Sequence, residues 1–139
     1  MKVASDGSRW LVRCEVGEIL PTALTDLAAK QDWNSASLTG IGGVRHVRLA
    51  YYDLQERRYL TFDVDGIVEL VSMVGNLSRL DGKPLWHVHA AVADREGNVR
   101  GGHLVSLEVA ITVECWINPS SLPVNRKADD HSGLNLLDL

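Results

Sequence analysis

The chain has 139 residues, of which 45% are apolar and 23% charged, and a formal net charge of −4. That size and composition suit one globular domain and exclude a disordered, collagenous or disulfide-scaffold chain. No apolar run approaches the roughly 20 residues of a membrane span, Met1–Asp6 lacks the apolar core of a secretory signal, and the net acidity creates no general attraction for nucleic-acid phosphates. A cytoplasmic protein without membrane contact is expected.

Trp10, Val12, Cys14 and Val16 alternate with Arg13 and Glu15 over Arg9–Val16, the period of a half-buried strand. Ile19, Leu20, Ala23, Leu24, Leu27 and Ala28 then form an apolar stripe that predicts a helix of about four turns, beginning near Pro21 because proline is tolerated only in a first turn. Ser35–Ile41 reads as a strand of small residues, Gly40-Ile41-Gly42-Gly43 as a bend, and Val44–Tyr52 as a strand with His46 on its surface side. Arg57–Asp65 alternates again and is expected to stop at Gly66. Ile67–Val74, apolar on both faces, reads as a central strand covered on both sides. Glu69 is its misfit, since a lone buried carboxylate is costly.

Gly75–Pro84 is a loop by composition. Leu85–Ala93 and Val99–Ile117 are predicted strands joined by Asp94–Asn98. From Pro119 the chain turns polar, and Leu134–Leu139 forms a short apolar end able to dock on the body or on a neighbour. Six to seven strands and one main helix predict an α+β domain with a mainly antiparallel sheet. The expectation is one domain over residues 1–139, with a core at about 9–117 and a C-terminal tail at 118–139. Cys14 and Cys115, each in an apolar stretch without a partner at metal-ligand spacing, read as buried reduced thiols.

The chemistry concentrates in Trp86-His87-Val88-His89-Ala90. Alternation puts both imidazoles on one face of a strand, about 6.6 Å apart along it, and leaves Trp86, Val88, Ala90 and Val92 for the core. If Arg95-Glu96-Gly97 is a three-residue hairpin loop with Gly97 in the left-handed conformation, Asp94 pairs with Asn98 and His89 falls opposite His103. A loop one residue shorter or longer, or a bulge at Gly101-Gly102, would re-aim His103. Three converging imidazoles suit a divalent cation, and they leave a coordination position open, unlike a closed structural site. A hydrogen-bonded cluster without metal is the alternative.

His87-Val88-His89, the acidic turn with Gly97, and Gly101-Gly102-His103-Leu104 resemble the H-x-H…G-G-H-L signature of the plant and prokaryote conserved (PPC) domain, in its stand-alone bacterial and archaeal type. Further matches are Gly40-Ile41-Gly42, Tyr51-Tyr52-Asp53, Glu69-Leu70 with Gly75-Asn76, and Asp81-Gly82-Lys83-Pro84. The resemblance covers about Arg9 to Ile117. It implies an α+β fold with a strongly bent antiparallel sheet, a homotrimer, and zinc held by His87, His89 and His103. It also implies a DNA-binding label from plant relatives, whose DNA contact resembles the work of a separate Arg-Gly-Arg-Pro AT-hook that this chain lacks. The plant partner-contact segment reads Gly66-Ile67-Val68-Glu69-Leu70-Val71 here, without its arginine and phenylalanine.

Glu69 is thus a candidate for orienting a histidine, for acting as general base on metal-bound water, or for a structural bond across a subunit contact. The leading expectation is a zinc-binding, trimeric regulatory or ligand-binding module whose small-molecule ligand the sequence does not name. A DNA-associated protein, suggested by Arg45, Arg48, Arg57 and Arg58 on adjacent strands, and a small metal-dependent hydrolase or lyase using Glu69 are the alternatives. No nucleophile motif specifies a reaction.

Overall fold

The structure is a computed structural model that describes residues 1–139. Its elements in chain order are β1 (Lys2–Ser5), β2 (Trp10–Cys14), β3 (Ile19–Leu20), α1 (Thr22–Lys30), β4 (Ser35–Asp53), β5 (Arg58–Leu80), β6 (Lys83–Ala93), β7 (Val99–Ser120), β8 (Asn125–Ala128) and β9 (Asn135–Asp138). Nine strands therefore replace the expected six to seven. All pairings are antiparallel except a single β5–β8 bridge. β4 pairs with β5 and β7, and β6 pairs with the same two strands. These four long strands form a circuit of hydrogen-bonded neighbours that a flat sheet cannot make.

The helix is shorter than its apolar stripe suggests. It runs for nine residues, about two and a half turns, from just after Pro21. Ile19 and Leu20 pair with Glu108 and Leu107 of β7 instead. The residue before a proline is pushed to extended backbone, which holds Leu20 in a strand. Leu24, Leu27 and Ala28 bury the inner face of the helix in a core of 27 residues. Cys14 and Cys115 are free and buried in that core. The Cys14 side chain beside it, and burial, push the Cys115 thiol pKa up, so the thiolate that reacts is disfavoured.

Glycines expected to interrupt strands lie inside them. Gly40–Gly43 is part of the continuous β4, with register shifts between Gly40 and Gly42 and, against β7, between Gly42 and Val44. Gly66, at φ +80°, does not end its strand. It belongs to a bulge in which β5 spends one more residue than β4 between the Arg45–Ile67 and Val47–Val64 pairs. Gly75–Leu80 is strand as well, and only Asp81-Gly82 turns, with φ +50° and +77°. That Asp-Gly pair is the signature of a two-residue hairpin and could have been read as one.

The central strand is less covered than its sequence implies. Ile67 and Val71 of β5 are 64% and 51% exposed, and Ile111 of β7 is 61% exposed. The polar tail carries regular structure: β8 and β9 form a hairpin that pairs with β5 through Arg79 and Asn125.

Candidate metal centre

β6 alternates as its sequence requires. Trp86, Val88, Ala90 and Val92 are buried, while His87 and His89 lie on the other face. The Asp94–Asn98 turn has the anticipated form: the Asp94 amide donates to the Asn98 carbonyl, the Gly97 amide donates back to Asp94, and Gly97 has φ +84°. The Asp94 carboxylate tightens the turn by accepting from the Glu96 and Asn98 amides. Register then runs unbroken from Ala93–Val99 to His89–His103, so Gly101-Gly102 introduces no bulge. His103 also pairs with Ala50 of β4, which fixes it between two strands where β7 changes neighbour.

The three imidazoles converge. Their ring centroids are 5.2, 5.3 and 5.6 Å apart, and one nitrogen from each lies within 4.8 Å of the others. Nitrogens 2.0–2.1 Å from one tetrahedral zinc ion would sit about 3.3 Å apart, so small side-chain rotations would close the set. Nδ1 of His103 is buried without a hydrogen-bond partner in the chain, an unsatisfied lone pair that a bound cation would relieve. The donor set therefore fits a divalent metal.

Electrostatics favour the neutral, ligand-competent form. Burial holds His103 well below the ordinary histidine range, at about 4, with His87 and His89 adding to the effect. Burial, then Arg126 and His89, lowers His87. In metal-free protein the unfolded chain binds a proton at His103 below about 6.5, while the folded chain does so only near 4. The unfolded state thus holds more protons in this window, and stability is expected to fall as pH drops from 6.5 towards 4. Urea unfolding at about pH 7, 5.5 and 4.5 checks this, with a flatter profile expected for His103→Gln.

Tyr59 stacks on His103 with ring centroids 4.7 Å apart, and burial raises its phenol pKa. Beside the triad is a cavity of about 310 Å³, lined by Tyr59, Trp86, His87, His103, Arg126 and apolar side chains from β5, β6 and the C-terminal hairpin. Arg126 lines this cavity and is absent from the sequence-based expectations, because the tail reads only as polar and no periodicity links β8 to β5.

Glu69 is elsewhere. It is exposed, opposite Gly43 and Ala93, and Ala93 lies four residues beyond His89, about 13 Å along β6. A role in orienting the histidines or acting on water at the triad therefore has no support from its position in this chain. His46 is a surface residue as expected, its side chain 75% exposed.

Residues 1–120 match the model of the Plants and Prokaryotes Conserved (PCC) domain. No curated protein matches the chain. Among solved structures, a plant- and prokaryote-conserved protein from Pyrococcus horikoshii is 28% identical with a TM-score of 0.87, covering 99% of this chain and 94% of its own. A candidate DNA-binding protein from Ralstonia eutropha JMP134 is 27% identical with a TM-score of 0.92, covering 99% and 96%. A metal-containing protein from Archaeoglobus fulgidus is 29% identical with a TM-score of 0.86, covering 97% and 94%. With the histidine signature, the hairpin register and the family match in agreement, this chain belongs to the Plants and Prokaryotes Conserved domain family.

Proposed function

We propose that this protein is a divalent-metal-binding, trimeric module that accepts a ligand, with His87, His89 and His103 holding zinc. The observation that carries the reading is the convergence of three imidazole nitrogens within 4.8 Å beside a cavity. The Archaeoglobus fulgidus relative, described as metal-containing, points the same way. Zinc bound here would supply Lewis acidity at a position left open by three protein ligands. No carboxylate lines the cavity, which favours ligand binding over a hydrolase or lyase in which Glu69 moves protons. Elemental analysis of protein purified without a metal-affinity tag should find close to one equivalent of metal per chain. Less than about a tenth of an equivalent, unchanged after adding zinc, contradicts the reading.

The trimer is supported by the apolar side chains Ile67, Val71 and Ile111, which lie exposed around the pairing of Gly43 with Glu69. Such a patch on a sheet face is what a subunit contact would cover. Light scattering is expected to give three times the 15.3 kDa chain mass, and a monomer would exclude this use of the face.

DNA binding is the second reading, favoured by the description of the Ralstonia relative. The arginines that suggested it are largely committed: Arg45 pairs with Glu108, Arg48 with Asp63 and Arg58 with Glu56. Duplex titration at low salt decides, because the phosphate term is strongest there. Salt-sensitive binding would favour this reading, and its absence would remove it.

A further inference from the structure

The C-terminal hairpin, beyond the family-matched residues, places a cation against the triad without an acid to balance it. Arg126 is half-buried and forms no ion pair. Its Nε donates to Ser78 Oγ at 2.7 Å, Nη1 to the Asn135 carbonyl at 2.8 Å and Nη2 to Asn76 Oδ1 at 3.2 Å. All three acceptors are neutral. A guanidinium has five N–H donors, so two remain without a protein acceptor. These contacts also hold the side chain at the cavity it shares with His87 and His103. The remaining wall is mostly apolar, contributed in part by Leu80, Leu85, Leu134 and Leu136, and includes no carboxylate.

A partly desolvated guanidinium without an anion is costly, and the cavity offers the place for one. We infer that this cavity binds a small monocarboxylate with an apolar body, its carboxylate facing Arg126 and its body resting on the leucines. The two unused N–H groups match the two oxygens of a carboxylate. The mostly apolar remainder of the wall suits a carboxylate on an apolar body better than the more strongly hydrated phosphate. The volume of about 310 Å³ is at the lower end for ligand pockets, which sets the size class as small. The inference rests on the metal-site reading for the importance of the neighbouring triad, while the Arg126 contact is testable without metal.

The experiment is a titration of zinc-loaded protein with butyrate, followed by amide and arginine side-chain NMR, with metal content measured separately. Saturable shifts are expected at Arg126, Leu136 and His103. Arg126→Gln should weaken butyrate by about tenfold or more while zinc content stays unchanged. Arg126→Lys, which keeps the charge but loses the planar fork, should fall between. Because Arg126 also fastens the hairpin, the wild-type shift map is the deciding measurement if a variant misfolds. Shifts confined to another part of the chain, no saturation by about 100 mM, or equal affinity in a folded Arg126→Gln protein overturn the inference. Tighter binding of inorganic phosphate at Arg126 overturns the carboxylate class. If the wild type takes up no zinc, the metal reading fails by itself. The butyrate titration of metal-free protein then decides: saturation at Arg126 supports the inference, and its absence overturns it.

Discussion

Replacing His103 with alanine is expected to lower metal affinity by at least about 100-fold, the upper end of what even indirect partners of a metal site contribute. His103 alone joins the two histidine-bearing strands, facing His89 directly across β6 and β7. Without it, His87 and His89 remain on one strand as a two-ligand site. The deletion also removes the stacking partner of Tyr59 and opens space in a half-buried region. A competition titration against a chromogenic chelator gives the affinity, and unfolding of the metal-free variant shows whether the fold survives. Retention of wild-type affinity would exclude His103 as a ligand. Loss of affinity in a folded variant is the expected outcome.

The largest effect on stability is expected at Gly42. A Cβ built there would lie 2.1 Å from the Thr112 carbonyl oxygen and 2.7 Å from Val113 Cα. Both obstacles are backbone, so rotating a side chain cannot relieve the clash. Gly42 pairs with Val113 of β7 and Leu70 of β5, so a shift made to accommodate alanine would pull on both neighbours in the strand circuit. Gly42→Ala is therefore expected to cost about 3 kcal/mol or more, at or beyond the usual range for overpacking. In a domain with a typical stability of about 5–15 kcal/mol, that is a large fraction. Urea unfolding measures it as a lowered midpoint, and a midpoint close to wild type would mean the strands separate more easily than their registers imply.

The histidine site was legible because its geometry is local. Period-two alternation assigns His87 and His89 to one face, and the three-residue loop, one of the lengths the sequence left open, carries the register to His103 within 14 residues of sequence. Gly97 supplies the left-handed position that turn requires. The family signature, drawn from the same residues, agrees with that register. Strand limits were less legible because the rule that glycine interrupts a strand is local, whereas bulges and close strand approach are decided by the partner strand. Gly66 and Gly42 both sit inside strands for that reason.

Arg126 was not legible because its neighbours come from distant sequence. Ser78 and Asn76 are 48 and 50 residues away, and neither they nor the polar tail carry a periodic signal. Glu69 was left with three roles by the sequence, and its exposed place on β5, away from the triad, is compatible with the structural one across a subunit contact. The apolar neighbours Ile67 and Val71 are better matched to a subunit contact than to the catalytic wall of a site.

The central claim is that His87, His89 and His103 together hold one ion, and anomalous scattering from a crystal of the protein tests it most directly. With data on both sides of the zinc absorption edge, the account predicts one peak per chain, about 2.0–2.1 Å from a nitrogen of each of the three histidines. A zinc-loaded crystal with no peak among them, or with its peak ligated by other residues, would contradict it.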